Sequence, residues 1–84
     1  MIEHNIIAKN SLESEEIARF VQVLNGYSGS EITIKRDGHR INAKSILGMY
    51  ALEIKKDHPV HFIISGEDAE QVAEAIDSFF ESIA

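Results

Sequence analysis

The sequence predicts an α/β fold of the α+β type: an open-faced sandwich in two layers, with elements in the order βαββαβα and helices on one face of a sheet. Three observations point there. Short segments alternate apolar and polar residues with the period of a strand, Asp37-Gly38 supplies a two-residue turn between two of them, and the remaining stretches place apolar residues at helical spacing. With 84 residues and no linker, repeat or low-complexity stretch, the chain reads as one domain, 1–84.

Each element has its own signature. From Ile2 onward, Ile2, His4, Ile6 and Ala8 alternate with Glu3, Asn5, Ile7 and Lys9, which gives a first strand. A first helix follows. Ser14 is its expected N-cap, Glu15 and Glu16 suit the positive end of the helix dipole, and Ile17, Phe20, Val21 and Leu24 fall on one face before Gly26. Counting outward from Asp37-Gly38 pairs Arg36 with His39, Ile34 with Ile41 and Ile32 with Ala43 on one face of a hairpin. On the other face Lys35 meets Arg40, a like-charge pair that is unfavourable unless solvent or a partner anion screens it.

Ser45 then caps a short second helix in which Met49 and Leu52 share one face and Ile46, Leu47 and Tyr50 another. Pro59 opens a fourth strand, with Val60, Phe62 and Ile64 facing one way and His61, Ile63 and Ser65 the other. The last helix lines up Ala69, Val72, Ala73, Ile76, Phe79, Phe80 and Ile83 opposite a run of acids. Ferredoxin-like domains share the first six elements, and local pattern does not choose the strand order.

Composition removes several function classes. Without cysteine there is neither a disulfide framework nor a thiolate metal site or thiol nucleophile. No apolar stretch approaches the roughly 20 residues that span a bilayer, and the start MIEHNIIAKN lacks a basic end and a signal-type core, so a cytoplasmic protein with no membrane association is expected. A net charge of −6 disfavours nucleic acid as a partner and leaves proteins. The four histidines are spread over the sheet and its connections, none in a pair with helical metal spacing, so no metal or other cofactor is expected.

The stretch NAKSILGMYAL, from Asn42 to Leu52, resembles the segment around the regulatory serine of HPr, the small phosphocarrier of the bacterial sugar phosphotransferase system. Lys44-Ser45-Ile46, Gly48 and Leu52 match, and the likeness extends back through DGHRIN and forward through HFIISGEDA. It implies a four-stranded antiparallel sheet with three helices on one face. In that family the phosphoryl acceptor is a histidine at the start of the first helix, in a motif of glycine, an aliphatic residue, histidine, alanine, arginine and proline. Ser11, Leu12, Glu13, Ser14, Glu15 and Glu16 stand there in this chain, so Glu13 takes the histidine position and Glu15 the arginine position.

Phosphoryl carriage by an imidazole needs that nucleophile and donors or cations to hold the transferred charge. Glu13 and Glu15 offer neither. The resemblance therefore implies a non-enzymatic relative that is not a histidine phosphocarrier, although a family-level description would still make it one. Ser45 matches the serine that an ATP-dependent HPr kinase phosphorylates in many Gram-positive relatives, whose phosphorylated form binds a LacI-type repressor in catabolite repression. Ile46, Leu47 and Tyr50 match the surface through which HPr meets its phosphotransferase partners. The leading expectation is a regulatory protein-binding module controlled at Ser45. The alternative is an assembly module using an apolar patch of Ile7 and Ile63 on the open sheet face, with no phosphorylation. A further one is that Glu13 imitates a permanently phosphorylated histidine.

Overall fold

A computed structural model describes residues 1–83. The elements follow in the order β1 (Ile2–Ile7), α1 (Ser14–Asn25), β2 (Ser30–Arg36), β3 (His39–Asn42), α2 (Ile46–Leu52), β4 (Pro59–Gly66) and α3 (Ala69–Ser82). The four strands form one antiparallel sheet in the order β1-β4-β2-β3, so the last strand is inserted between the first and the hairpin. All three helices pack on the face that takes Ile32 and Ile34 of β2 and Val60, Phe62 and Ile64 of β4. The opposite face is open. This is the open-faced sandwich expected from the alternation of the strands.

The hairpin forms with the register counted from its turn: Arg36 opposes His39, Lys35 opposes Arg40 and Ile34 opposes Ile41. Asp37 and Gly38 both have positive φ, at 50° and 79°, as a two-residue turn matched to strand twist requires. His39, the partner of Arg36, is the first residue of β3.

An aromatic cluster joins the two layers. Phe20 of α1 meets Phe62 of β4 edge to face at 6.0 Å, and Phe79 and Phe80 of α3 at 4.8 and 5.3 Å. Met49 and Leu52 turn inward from α2, and Ile54 just beyond it is buried. At the far end, Gly66 has a φ of 145°, and a side chain there would run into the carbonyl oxygen of Gly29. The chain crosses itself closely at that point, and only glycine fits both demands.

Candidate functional site at the starts of helices α1 and α2

The segment leading into α1 is fixed by backbone pairing with the connection between α2 and β4. Ala8 N–H donates to the His58 carbonyl at 3.2 Å and Asp57 N–H to the Ala8 carbonyl at 2.7 Å. Leu12 N–H donates to the Ile54 carbonyl at 3.0 Å, and Lys56 N–H to Ser11 Oγ at 3.0 Å. The start of α1 is thus held beside the end of α2 although the two are far apart in sequence.

Helix α1 begins one residue earlier than its sequence suggests. Glu13, not Ser14, is the N-cap: its backbone N–H donates to Glu16 Oε1 at 2.8 Å, and its carbonyl accepts from Ile17 N–H at 2.9 Å. Glu16 reaches back as the third residue of a capping box does, and this return bond selects the residue three before it. Ser14 becomes the first helical residue and is exposed, as is Glu15.

Glu13 borders a shallow depression of about 470 Å³ with Leu12, Tyr50, Glu53, Ile54 and Lys55. Its cation is Lys55, whose Nζ lies 3.8 Å from Glu53 Oε2. Sequence reasoning missed both Glu53 and Lys55, since only the pairing of the two connections brings them to α1. No histidine lines the depression. His4 Nε2 is 2.7 Å from Asp77 Oδ1 and His61 Nε2 is 3.1 Å from Glu3 Oε1; His39 starts β3 and His58 precedes Pro59. The residues at this helix start therefore supply carboxylates and hydroxyls but no imidazole nucleophile.

The start of α2 is built differently. Ser45 is its N-cap in extended conformation, and its Oγ accepts the Gly48 N–H at 3.2 Å. The preceding residue, Lys44, is pinned inward: its Nζ donates to the carbonyls of Tyr27 at 2.7 Å and Ser30 at 2.6 Å. Asn25 ties α1 to the same turn by donating to the Lys44 carbonyl at 3.0 Å. These anchors were not legible locally, because every acceptor lies on another element. Along the helix, Leu47 is 78% exposed and Tyr50 41%, while Ile46 is half-buried. Met49 and Leu52 face inward as expected and Leu47 and Tyr50 outward, whereas Ile46, expected with the outward pair, packs partly against the core; Tyr50 also borders the Glu13 depression.

Ile7 and Ile63 both lie on the open sheet face, but the structure does not bring them together. Ile7 is opposite Pro59 and Ile63 is opposite Glu3, with the Asn5–His61 pair between. The antiparallel register sets them four positions apart, roughly 13 Å along the strands. Ile7 is 65% exposed and Ile63 is half-buried. Among the described residues, no cluster of three or more His, Cys, Asp or Glu could hold a metal, and no helix is long and apolar enough to cross a membrane.

Comparison with known proteins agrees with this architecture. The family model described as the PTS HPr component phosphorylation site matches residues 2–82. The HPr-like protein Crh of Halalkalibacterium halodurans is 38% identical over 73 residues, 87% of this chain and 86% of that protein. Among solved structures, HPr-C-His from Thermoanaerobacter tengcongensis superposes with a TM-score of 0.88 at 33% identity, covering 98% of this chain and 93% of that one. Crh of Bacillus subtilis, described as an intertwined dimer with a swapped domain, gives 0.74 at 30% identity, covering 92% and 87%. Fold, element order and sequence thus agree, and the chain belongs to the HPr family of the phosphotransferase system.

Proposed function

We propose that this HPr-family protein acts as a regulatory protein-binding module, without enzymatic activity of its own, and does not carry phosphate on histidine. The observation behind the first half is the juxtaposition at α2: a hydroxyl at the N-cap, Ser45, next to Ile46 and the exposed Leu47 and Tyr50. The second half is supported by Glu13 and Glu15 at the start of α1, where no histidine is present.

Regulation at Ser45 has a simple physical form. A kinase transfers the γ-phosphoryl group of ATP to Oγ: a new P–O bond forms, the bond to ADP breaks, and the hydroxyl proton is lost. The product adds nearly two negative charges beside the first-turn N–H groups of α2. Lys44 is committed to the Tyr27 and Ser30 carbonyls, so the added charge remains available to a partner's cations. Such a partner would meet the phosphate and the Leu47–Tyr50 surface together. HPr kinase, a LacI-type repressor and phosphotransferase components are the partner classes that family membership suggests, with the cytoplasm as the compartment. Incubation with HPr kinase and ATP followed by peptide mass spectrometry tests the reading: phosphate on Ser45 is expected, and an unmodified Ser45 removes it.

Assembly is the second reading. Ile7 is exposed on an edge strand, and the B. subtilis Crh relative is an intertwined dimer. Light scattering of the native chain and of Ile63→Glu separates the open-face version: a dimer abolished by the substitution supports it, and a monomer in both cases excludes it.

A further inference from the structure

The like-charge pair in the hairpin extends into a longer row. His61 of β4 is opposite Asn5 of β1 on one side and Lys35 of β2 on the other, and Lys35 is opposite Arg40 of β3. Asn5, His61, Lys35 and Arg40 therefore cross the whole sheet on its open face, at the roughly 4.8 Å spacing of neighbouring strands. Among the described residues the ion pairs are His4–Asp77, Lys55–Glu53 and His61–Glu3, so neither Lys35 nor Arg40 meets a carboxylate. Two unneutralised cations side by side are unfavourable in the isolated protein and become favourable once an anion bridges them. That they stand in a chain of net charge −6 makes the local concentration of positive charge more pronounced.

The middle of the row, Lys35 and His61, borders a cleft. Between the hairpin turn and the connection from α2 to β4 there is a recess of about 500 Å³, to which Lys35, Arg36, Lys55, His58 and His61 contribute. That volume lies within the roughly 300–1,000 Å³ of small-ligand sites. The carboxylates at its wall are Asp37 and Glu53; Glu53 pairs with Lys55 at 3.8 Å. Arg36 shapes the wall more than it offers charge, since its guanidinium donates to the Leu52 and Glu53 carbonyls at the end of α2. Lys35 and His58 remain to face a ligand, with Arg40 beside Lys35, while His61 Nε2 is held by Glu3 Oε1 at 3.1 Å. The recess lies at the C-terminal end of α2, the opposite end from Ser45.

From this arrangement we infer that the cleft and the adjoining cationic row bind a compact polyanion, of the class of small phosphorylated metabolites. Lys35 and Arg40 supply charge-assisted donors to its oxygens, and His58 adds a ring nitrogen from the connection between α2 and β4. The site is independent of phosphorylation at Ser45 and of any exchange at α1.

Pyrophosphate is the probe. Calorimetric titration of the full chain is expected to show saturable binding, with amide shifts confined to residues 35–40 and 55–61 in nitrogen-edited spectra. Lys35→Gln is expected to weaken binding about tenfold. Arg19→Gln, an equal change of charge on exposed α1, is expected to weaken it less than about twofold, the diffuse effect alone. Melting curves confirm that both variants fold. Absence of saturation, equal weakening by the two substitutions, or shifts centred on α1 or the start of α2 would overturn the assignment. So would tighter binding of a glutamate-rich peptide that pyrophosphate fails to displace, since the surface would then be a protein-docking site.

Discussion

Ser45 Oγ accepts the Gly48 N–H at 3.2 Å, so the hydroxyl that starts α2 is also the proposed point of modification. Removing it tests the structural half of that dual role. Ser45→Ala is expected to lower stability by about 1 kcal/mol, the usual cost of losing an N-cap, whereas Ser45→Asp retains an acceptor and stays near the native value. Urea denaturation of the three proteins measures both differences. A fall of equal size in the aspartate variant would show that the hydroxyl makes a contact other than the cap.

At the other end of the same helix, Arg36 donates to the carbonyls of Leu52 and Glu53 and satisfies acceptors that the short helix leaves open. Arg36→Met keeps most of the apolar stem and removes the donors. The expected loss is about 2 kcal/mol, as for hydrogen bonds to a charged group, with faster amide exchange confined to the end of α2 and the residues after it. Denaturation midpoints and hydrogen exchange read these separately.

Two contacts between the layers have very different expected weights. Phe20 is fully buried against Phe62, Phe79 and Phe80, and Phe20→Ala is expected to cost roughly 4 kcal/mol through lost transfer energy and the cavity left behind. The His4–Asp77 pair joins β1 to α3 at 2.7 Å, but the Asp77 side chain is 50% exposed. Solvent screening limits Asp77→Ala to less than about 1 kcal/mol. Thermal unfolding of the two variants should therefore separate them clearly, and comparable losses would mean that the pair fixes β1 to the helical layer.

Gly66 combines a φ of 145° with close approach to the Gly29 carbonyl. Gly66→Ala is expected to destabilise by roughly 3 kcal/mol or to prevent folding, because strain and overlap act at one position. Gly38, also at positive φ, has open space around it, and Gly38→Ala is expected to cost only about 1 kcal/mol. Solubility and denaturation midpoints of this pair distinguish strain alone from strain with overlap.

What could be read in the sequence was local. The Asp37-Gly38 turn fixes the register of Ile34 with Ile41, and Ser45 announces the start of α2, because both depend on residues within a few positions. Helix α1 starts at a different cap than Ser14 for an equally local reason: the return bond from Glu16 favours Glu13, and a glutamate is an uncommon cap. The distance between Ile7 and Ile63 was not legible, since it depends on the register between β1 and β4, which are joined only through the rest of the chain. Lys44, Arg36 and the depression around Glu13 depend in the same way on partners from distant elements, so composition identifies these side chains without identifying their contacts.

The most direct test of the central claim is phosphoryl transfer to the native chain from phosphoenolpyruvate and enzyme I, followed by mass spectrometry under conditions that preserve phosphohistidine. With Glu13 at the start of α1 and no imidazole in the adjoining depression, the protein is expected to remain unlabelled. Stable, stoichiometric labelling of any residue would contradict the account.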